Sequence, residues 1–338
     1  MPSLTNINWE KSDEWNRFLE LGLQIRTRNS GEEIQFWKDV PKDAHGFELF
    51  ERGKFQFWSA TDGKYFGRIG AFILPEQGEG FIGWYECDRN DAVSNSLFDA
   101  AVTWLKSSKC KSILGPINGT TWHAYRFNLT GAVPKFTGEP FQPMYYVDQW
   151  MKQSFLPVIF YKSTFSPIDQ MQIPSWEEMH RQLQPLGIKL IDLTPAYYEI
   201  NKSSLHVLLC ESFKPNPFFT IISLNTFIEL YDSVVKNIPA GFLYALDSGG
   251  VPVGIALTYP DRLGDKAKLV VKTFAVHPQW QGKGLGWLLG KLPYTIARQH
   301  GLELVVHALM FGQNRSAYMS QKLGMVATQE YAVFEKKI

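Results

Sequence analysis

The sequence contains few cysteines and no long apolar run, and these two absences exclude several classes of protein. Its three cysteines, Cys87, Cys110 and Cys210, are widely spaced and form no CxxC pair. A disulfide framework or a cysteine-based zinc site is therefore not indicated. No stretch approaches the ~18 uninterrupted apolar residues of a membrane span, and the amino-terminal segment lacks the basic and apolar regions of a signal peptide. We therefore expect a cytoplasmic protein that does not enter a membrane.

An excess of charge of either sign is also missing, because 34 basic residues nearly balance 33 acidic ones. No global field would attract nucleic acid, so we expect no nucleic-acid partner. Aromatic residues are plentiful instead, at 14% of the chain with 11 Trp, which indicates large packed cores. The 338 residues exceed one ordinary core. We therefore expect two domains, 1–165 and 166–338, which meet near residues 162–174.

The first half predicts helices, an antiparallel sheet and a further helix. Apolar spacing at Trp15, Phe18 and Leu19 predicts a helix, and the capping-box pair Ser30 and Glu33 predicts the start of a second one. The predicted strands lie between turn-forming residues, at 47–51, 55–60, 66–73, 80–87 and 112–114. Between the last two, helical spacing returns over residues 93–105.

The second half repeats this order of elements. Ser175 and Glu178 form a capping-box pattern at the start of a predicted helix. The later predicted helices are 197–213, 224–236, 285–299 and 315–323. The predicted strands are 189–193, 242–246, 251–259, 268–276, 302–310 and 326–334. Pro293 should kink or shorten the helix that contains it.

A glycine-rich turn between predicted strand 268–276 and predicted helix 285–299 is the most informative motif. Gln281, Gly284 and Gly286 form a Q-x-x-G-x-G pattern after Pro278. Glycine lets backbone N–H groups approach an anion, and the helix adds its positive end. A pyrophosphate would fit this glycine turn. A simple strand-to-helix connection without a ligand is the alternative, because it has the same local pattern. The turn matches neither a Rossmann fingerprint nor a P-loop.

From about residue 189 onward, this motif and the order of elements resemble the GCN5-related N-acetyltransferase (GNAT) superfamily. The resemblance implies an α/β (α+β) fold, with a mixed, mostly antiparallel sheet flanked by helices, and acetyl-coenzyme A as cosubstrate without a metal. The coenzyme would be cradled by Gln281, Gly282, Lys283, Gly284, Leu285 and Gly286. The backbone that would bind the thioester and the pantetheine arm belongs to Phe274, Ala275 and Val276. Asn314, followed by Ala317 and Leu323-Gly324-Met325, resembles the family's other coenzyme-binding segment.

The catalytic side chains follow less directly from this resemblance. The tyrosine acid of many relatives falls on Ser320, and Tyr318 lies two residues earlier, ~200° around a regular helix. Lys272 stands where many relatives carry a strand carboxylate. His307 is a candidate general base, because the pKa of a histidine can lie near the operating pH, and a packed or solvent-facing histidine is the alternative. His307 and Tyr318 are thus the candidate catalytic residues.

Two groups of residues are candidates for binding the acyl acceptor. The first group lies where family members often form the acceptor pocket: Phe213, Asn216, Tyr259 and Asp261. Core packing is the alternative for the aromatic residues, and a turn for Asp261. The second group lies in the first half: Trp122, His123, Tyr125 and Arg126. These side chains would line a cleft against the second domain or form an aromatic domain interface. Their segment resembles one in an uncharacterised bacterial family of tandem acetyltransferase-like proteins.

The first half also suggests a degenerate copy of the same fold over residues 30–115. Asp88 and Asp91 lie where its coenzyme turn would be and would repel a pyrophosphate. We therefore expect only the second domain to bind coenzyme A.

The sequence predicts an N-acetyltransferase that acts on a small amine or amino-acid-like acceptor by direct attack in a ternary complex. The protein would be a monomer or a homodimer. Ser320 and Lys272 motivate a first alternative, a noncatalytic acyl-coenzyme A sensor. The second alternative is an aminoacyl or peptidyl transferase, because some tandem members of the superfamily use large carriers.

Overall fold

A computed structural model describes residues 1–30, 48–75, 78–131, 135–169, 172–313, 315–323 and 327–338. The chain forms two compact units. The first comprises Met1–Pro134, Pro140–Phe160 and Glu330–Ile338, and the second comprises Lys135–Glu139 and Tyr161–Gln329. Lys135–Glu139 thus belongs to the second unit, although it lies between two segments of the first. Glu330–Ile338 belongs to the first unit, although it follows a segment of the second. Within the described residues, no helix is long and apolar enough to cross a membrane.

The elements of the chain follow in sequence order. The earlier ones are β1 Ser3–Ile7, α1 Ser12–Ser30, α2 Leu49–Arg52, β2 Lys54–Thr61, β3 Phe66–Ile73, β4 Gly80–Cys87, α3 Asp91–Ser107, β5 Ser112–Gly115, β6 Phe127–Asn128, α4 Tyr145–Lys152 and β7 Leu156–Pro167. The later ones are α5 Trp176–Leu183, β8 Lys189–Asp192, α6 Pro195–Phe213, α7 Leu224–Asn237, β9 Leu243–Ser248, β10 Val251–Asp261, β11 Lys268–Val276, α8 Leu285–Gln299, β12 Leu304–Phe311, α9 Arg315–Lys322 and β13 Ala327–Lys337.

The sheet of the first unit has the strand order β1-β2-β3-β4-β5-β13, with β6 paired to β13. Its neighbours are antiparallel apart from β4 and β5, which run parallel and are joined by α3. Asn90 caps α3, because its side chain accepts a hydrogen bond from the Val93 amide. The apolar face of α3, including Leu97 and Phe98, is buried, as its helical spacing predicts.

The core of the first unit is built around an aromatic residue, Trp150, which is fully buried. Its ring lies between 4.8 and 5.9 Å, centre to centre, from the rings of Tyr85, Phe98, Phe127 and Phe155. Aromatic pairs of this kind contribute about 0.5–1.5 kcal/mol each beyond the area that they bury. The high aromatic content of the sequence is therefore used for packing here.

The sheet of the second unit has the strand order β7-β12-β11-β10-β9-β8. As in the first unit, a single pair, β11 and β12, is parallel within the described strands, and a helix, α8, connects it. Leu289 and Leu292 of α8 are fully buried in a core that includes Leu269 and Val305 of the two parallel strands. A smaller cluster comprises Phe136, Phe165, Val270 and Val306. Each unit is thus a mixed, mostly antiparallel sheet flanked by helices, the α/β (α+β) fold that the sequence predicts.

One structural prediction was wrong. The described part of 47–51 is helical and not a strand, because α2 buries Leu49 and Phe50 before Gly53 ends it. α1 extends to Ser30, and the helix predicted to begin there, with Glu33, lies outside the described residues. Near the expected domain boundary, residues 162–167 belong to β7, whose serine and threonine side chains are buried. Pro293 lies inside α8, which continues to Gln299.

Candidate active site

The two parallel strands of the second unit separate part-way along their length. Their pairing extends from Lys268 and Leu304 to Val271 and His307. Both strands continue further, β11 to Val276 and β12 to Phe311. We call the place where they part the fork. It opens one backbone edge of β11 between residues 272 and 276.

A bulge lies in each strand at the fork. In β11 the register with β10 passes from Val271 to Thr273, so Lys272 is the bulged residue. In β12 the register with β7 shifts between His307 and Met310, and Leu309 takes a positive φ of 56°. A leucine rarely adopts this left-handed conformation, which here directs the Leu309 amide to the Ser163 hydroxyl at 2.8 Å. Bulges bend a strand and interrupt its ladder, so they account for the separation.

The open edge of β11 presents alternate backbone groups. The His277 amide donates to the Val253 carbonyl at 2.9 Å, which fixes this residue as one that faces β10. Because successive residues of a strand face opposite neighbours, Ala275 also faces β10, whereas Phe274 and Val276 face the fork. The Val276 carbonyl accepts hydrogen bonds from the side chains of Gln281, at 3.1 Å, and Ser212, at 3.3 Å. Of the three predicted strand residues, Phe274 and Val276 thus have backbone amides on the side that a ligand would approach, whereas Ala275 faces β10.

The glycine turn joins the end of β11 to α8. Gly282 and Gly284 have φ values of 81° and 80°, and a Cβ at either position would meet nothing within 4 Å. Residues 281–284 are exposed, and Leu285 begins the buried face of α8. The Lys283 ammonium lies 4.3 Å from the centre of the Trp280 ring. Gly286 also faces open space.

The amino terminus of α8 has no side-chain cap: Gly284 occupies the capping position and offers no side-chain acceptor. Three other helices of the second unit, α5, α6 and α7, are capped by the side chains of Ser175, Thr194 and Ser223. The first amide groups of α8 therefore keep their hydrogen-bonding capacity for an external anion, and the helix dipole favours negative charge there.

The two predicted catalytic residues occupy different environments. His307 is 1% exposed, and its Nε2 lies 3.3 Å from the Tyr294 hydroxyl. Burial lowers the pKa of His307 to about 4, so its imidazole is neutral at pH 7. Tyr318 is 59% exposed, and the Lys322 ammonium lies 5.6 Å from its ring centre. Their catalytic roles stay predictions. Asn314 and Gly324-Met325 lie outside the described residues.

Ser320, at the place of the family's tyrosine, is fully buried. Its hydroxyl hydrogen bonds with the hydroxyl of Thr164 on β7, which is also fully buried. The Ser320 side chain is too short to extend out of the core from this position, and its partner, Thr164, lies in the sheet. The side chain therefore has a packing contact in place of a route to solvent.

The acceptor candidates of the second unit divide into two places. Phe213 ends α6 beside Ser212, and the Asn216 amide donates to the Phe213 carbonyl at 2.8 Å, so both residues lie in the turn after α6. Tyr259 and Asp261 instead hold the segment Lys135–Glu139.

Thr137 is the residue of that segment which Tyr259 and Asp261 contact. Asp261 accepts from the Thr137 amide at 3.0 Å and from its hydroxyl at 2.7 Å, and Tyr259 donates to its carbonyl. Burial, together with the charges of Asp261 and Glu139, raises the pKa of Tyr259. Lys268, at 3.9 Å, is the cation beside Asp261, and both side chains are about 5% exposed. This geometry favours the structural interpretation of Asp261.

The aromatic candidates of the first unit make local contacts with one another. The Thr120 hydroxyl lies 2.8 Å from Nδ1 of His123, and burial lowers the pKa of His123 to about 4. Arg126 has a positive φ of 68° and stacks its guanidinium 4.0 Å from the centre of the Tyr125 ring. Trp122 donates its backbone amide to the Thr120 hydroxyl at 3.1 Å. Their role in acceptor binding stays a prediction.

Comparisons with known proteins agree with this fold. Residues 207–325 match the model of the Acetyltransferase (GNAT) family. A GCN5-related N-acetyltransferase from Sphaerobacter thermophilus is similar over 99% of this chain and 95% of that chain, with a TM-score of 0.50 and 12% identity. A tandem GNAT protein from the clavulanic acid biosynthesis pathway is similar over 100% and 98% of the two chains, with the same score and identity. The second unit therefore contains a GNAT-family segment, residues 207–325.

A further GNAT structure, a GCN5-related N-acetyltransferase from Anabaena variabilis, is similar over 98% of this chain and 72% of that chain, with a TM-score of 0.52 and 10% identity. At such identities the solved structures establish the fold alone, two GNAT-like units in one chain. No curated protein matches the sequence. Among the described residues, no group of three or more His, Cys, Asp or Glu could hold a metal ion.

The first GNAT-like unit has the same fork, but its own chain fills it. β4 pairs with β5 only at Gly80 and Phe81. Beyond the pairing, the Ile117 amide donates to the Ile82 carbonyl at 2.9 Å, and the Asn118 side chain accepts from the Trp84 amide at 2.6 Å. The segment after β5 thus bonds to the strand edge that stays open in the second unit.

The turn before α3 is also occupied by protein groups. It has three residues, 88–90, against the eight residues, 277–284, before α8. Asn90 caps α3, and Asp88 pairs with Arg28 at 2.8 Å while accepting from the Phe66 amide at 2.9 Å. These contacts use the amides and the space that a pyrophosphate would need.

Sequence reasoning missed Ser212 and Thr164. Ser212 is one of several polar residues of α6, so its contact with Val276 had no distinct local signal. Thr164 lies in a strand that the sequence did not predict, so its contact with Ser320 had no local signal.

Proposed function

We propose that the second unit binds acetyl-coenzyme A and transfers its acetyl group to a small amine or amino-acid-like acceptor. The observation that carries this proposal is the uncapped, glycine-lined start of α8, which lies directly after the open edge of β11. A pyrophosphate is a doubly charged ligand that suits the α8 amides. An extended pantetheine arm, which has its own amide groups, suits a strand edge. The two features together fit coenzyme A better than they fit a simple nucleotide.

Direct attack by the acceptor needs little side-chain chemistry. The amine nitrogen bonds to the thioester carbonyl carbon, the C–S bond breaks, coenzyme A leaves as a thiolate, and the nitrogen releases a proton. A backbone N–H of Phe274 or Val276 would stabilise the developing oxyanion, and the fork would hold both reactants in place. The proposal gives no base role to His307, because this ring is buried and bonded to Tyr294.

The proton from the acceptor and the proton for the thiolate would then be exchanged with water. Residues 272–276 and 308–311 at the fork contain no acidic side chain. Ser320 is bonded inside the core. Tyr318 is the side-chain candidate for protonating the thiolate, because its side chain is exposed and not held in the core.

The test is a calorimetric titration of acetyl-coenzyme A into the wild type and a Gly284→Glu variant. A carboxylate at this turn should remove binding, because it brings negative charge to the pyrophosphate position. Gly264→Glu is the matched control, since Gly264 also has a φ near 80° with nothing within 4 Å of its Cβ position, and it lies in the turn between β10 and β11. Binding to the wild type and the control, but not to Gly284→Glu, supports the site. A wild type that does not bind rejects it.

A noncatalytic sensor is the second candidate function, and the buried Ser320 favours it. A sensor would bind acetyl-coenzyme A with the same dependence on Gly284. It would release no coenzyme A above the rate of uncatalysed hydrolysis with any amine in a broad acceptor panel. Acceptor-dependent release of coenzyme A therefore separates the enzyme from the sensor.

A further inference from the structure

A short segment of the second unit, Lys135–Glu139, covers one face of the sheet at the base of the fork. Its residue Phe136 is 1% exposed and packs against Phe165, Val270 and Val306. These three partners are neighbours across the sheet, because Val306 pairs with Val270 of β11 and with Phe165 of β7. Phe136 therefore lies across the row of the sheet that comes directly before the last β11–β12 pair.

The two faces of the sheet are covered by different elements at this base. Val271 belongs to the core beneath α8, and Nε2 of His307 lies 3.3 Å from the hydroxyl of Tyr294 on the same helix. Because successive side chains of a strand point to opposite faces, Val270 faces the other side, where Phe136 covers it. The base of the fork is thus closed by α8 on one face and by Phe136 on the other.

Hydrogen bonds hold this segment against β10. The amide and the hydroxyl of Thr137 donate to Asp261 at 3.0 and 2.7 Å, and the Tyr259 hydroxyl donates to the Thr137 carbonyl. Tyr259 also pairs with Val270 across the two strands. These bonds fix the backbone directly beside Phe136, so its ring is held against the sheet.

The inner end of the fork is lined by apolar groups of β12. Ala308 and Leu309 are half-buried and pack against the cluster that contains Phe136. The bond from the Leu309 amide to the Ser163 hydroxyl, at 2.8 Å, holds this backbone in position. A coenzyme arm that enters at the Val276 end of β11 would extend along the open edge towards these residues. The acyl group at the end of the arm would therefore meet an apolar wall.

We propose that Phe136 closes the inner end of an acyl pocket and limits the acyl donor to short chains such as acetyl. This inference rests on the proposed function and names the donor class of its site. The methyl of an acetyl group would contact Ala308 and Leu309, whereas each further methylene would have to displace side chains that are held against Phe136. Closely packed side chains resist such displacement, because few voids are available to receive them.

The test is a calorimetric titration with acetyl-, butyryl- and hexanoyl-coenzyme A, which requires no acceptor. The wild type should bind acetyl-coenzyme A about tenfold or more tightly than hexanoyl-coenzyme A, because the longer chain overpacks the pocket. Phe136→Ala should abolish or reverse this preference, since the space left by the ring would receive the chain and apolar burial would then favour hexanoyl. Phe136→Leu, which removes less volume and should fold more readily, should give an intermediate ratio of affinities.

Phe155→Ala and Phe155→Leu are the matched controls, because Phe155 is a fully buried phenylalanine in the core of the first unit. They should lose comparable stability and keep the wild-type ratio. The proposal is overturned if the wild type binds hexanoyl-coenzyme A as tightly as acetyl-coenzyme A. It is also overturned if the Phe136 variants that circular dichroism shows to be folded keep the wild-type ratio, and Phe136→Leu decides if Phe136→Ala does not fold. A wild type that binds none of the three compounds instead rejects the proposed function itself, which distinguishes the two failures.

Discussion

The backbone amide of Ile117 donates a hydrogen bond of 2.9 Å to the carbonyl of Ile82 in the first unit. This bond joins the segment after β5 to the edge of β4, beyond the point at which the two strands stop pairing. In the second unit the corresponding edge, on β11, faces the fork. The two units therefore share a fold and differ in whether the strand edge is available to a ligand.

The filled edge predicts one coenzyme site per chain. Titration of acetyl-coenzyme A should give a stoichiometry of one, because both the strand edge and the start of α3 in the first unit are bonded to protein groups. The Gly284→Glu variant should then show no residual binding. A stoichiometry of two, or a second site that persists in this variant, would refute the prediction.

The contact between β4 and the segment after β5 can be tested by a substitution at Gly83. A Cβ at this position would lie 1.9 Å from the Ile117 carbonyl oxygen, so Gly83→Ala must displace the segment after β5. We expect the variant to lose about 1–3 kcal/mol of unfolding free energy, the usual range for overpacking. Gly78→Ala, whose Cβ would meet nothing within 4 Å, should change it by less than about 0.5 kcal/mol. Equal stabilities by denaturant titration would contradict the contact.

Local patterns in the sequence predicted much of the fold. The strands 66–73, 80–87 and 268–276 and the helix 285–299 have the predicted bounds, because two- or 3.6-residue apolar periods and flanking turns mark them. The glycine turn was also predictable from the sequence, because the positive φ values at Gly282 and Gly284 favour glycine.

The remaining features depend on residues far apart in sequence. β7 carries serine and threonine at buried positions, so its polarity concealed a strand. Asp261 was interpreted as an acceptor residue or a turn, but its partner Thr137 lies 124 positions earlier. The exchange of Glu330–Ile338 into the first unit likewise has no local signal. Tertiary partners of this kind become visible only in the folded chain.

A substitution at Asp261 distinguishes a structural role of this residue from a role in binding the acceptor. Asp261→Asn should lower the unfolding free energy by about 3 kcal/mol, because it removes the ion-pair partner of the buried Lys268 ammonium. Asp265→Asn, at an exposed position in the following turn, should change it by less than about 0.5 kcal/mol. If Asp261→Asn instead retains wild-type stability and raises KM for the acceptor, Asp261 belongs to the acceptor pocket.

Ser320 and Tyr318 test whether a side chain protonates the thiolate. Ser320→Ala should cost about 1 kcal/mol of stability through its lost bond to Thr164. Its kcat should stay within about twofold of the wild type, because the hydroxyl is buried. Tyr318→Phe should behave similarly in kcat if water protonates the thiolate. A loss in kcat of about 100-fold or more in Tyr318→Phe, the lower range for general acid catalysis, would establish Tyr318 as the acid.

The burial of His307 leads us to expect that the unfolding free energy depends on pH. Burial lowers its pKa from 6.5 to about 4 in the folded protein, so the unfolded chain binds this proton more readily. The contribution of the neutral His307 to the unfolding free energy is therefore fully present above pH 6.5 and is lost as the pH falls from 6.5 towards 4. Between pH 7 and pH 5 the loss amounts to about 2 kcal/mol.

The non-titrating variant His307→Gln should thus lose about 2 kcal/mol less than the wild type over this interval, whatever its stability at pH 7. His180→Gln, at an exposed position on α5, should keep the wild-type slope. Guanidinium titrations at pH 7, 6 and 5 measure the three slopes. Identical slopes for the wild type and His307→Gln would show that the imidazole takes up its proton without unfolding, and the buried, neutral His307 would have to be abandoned.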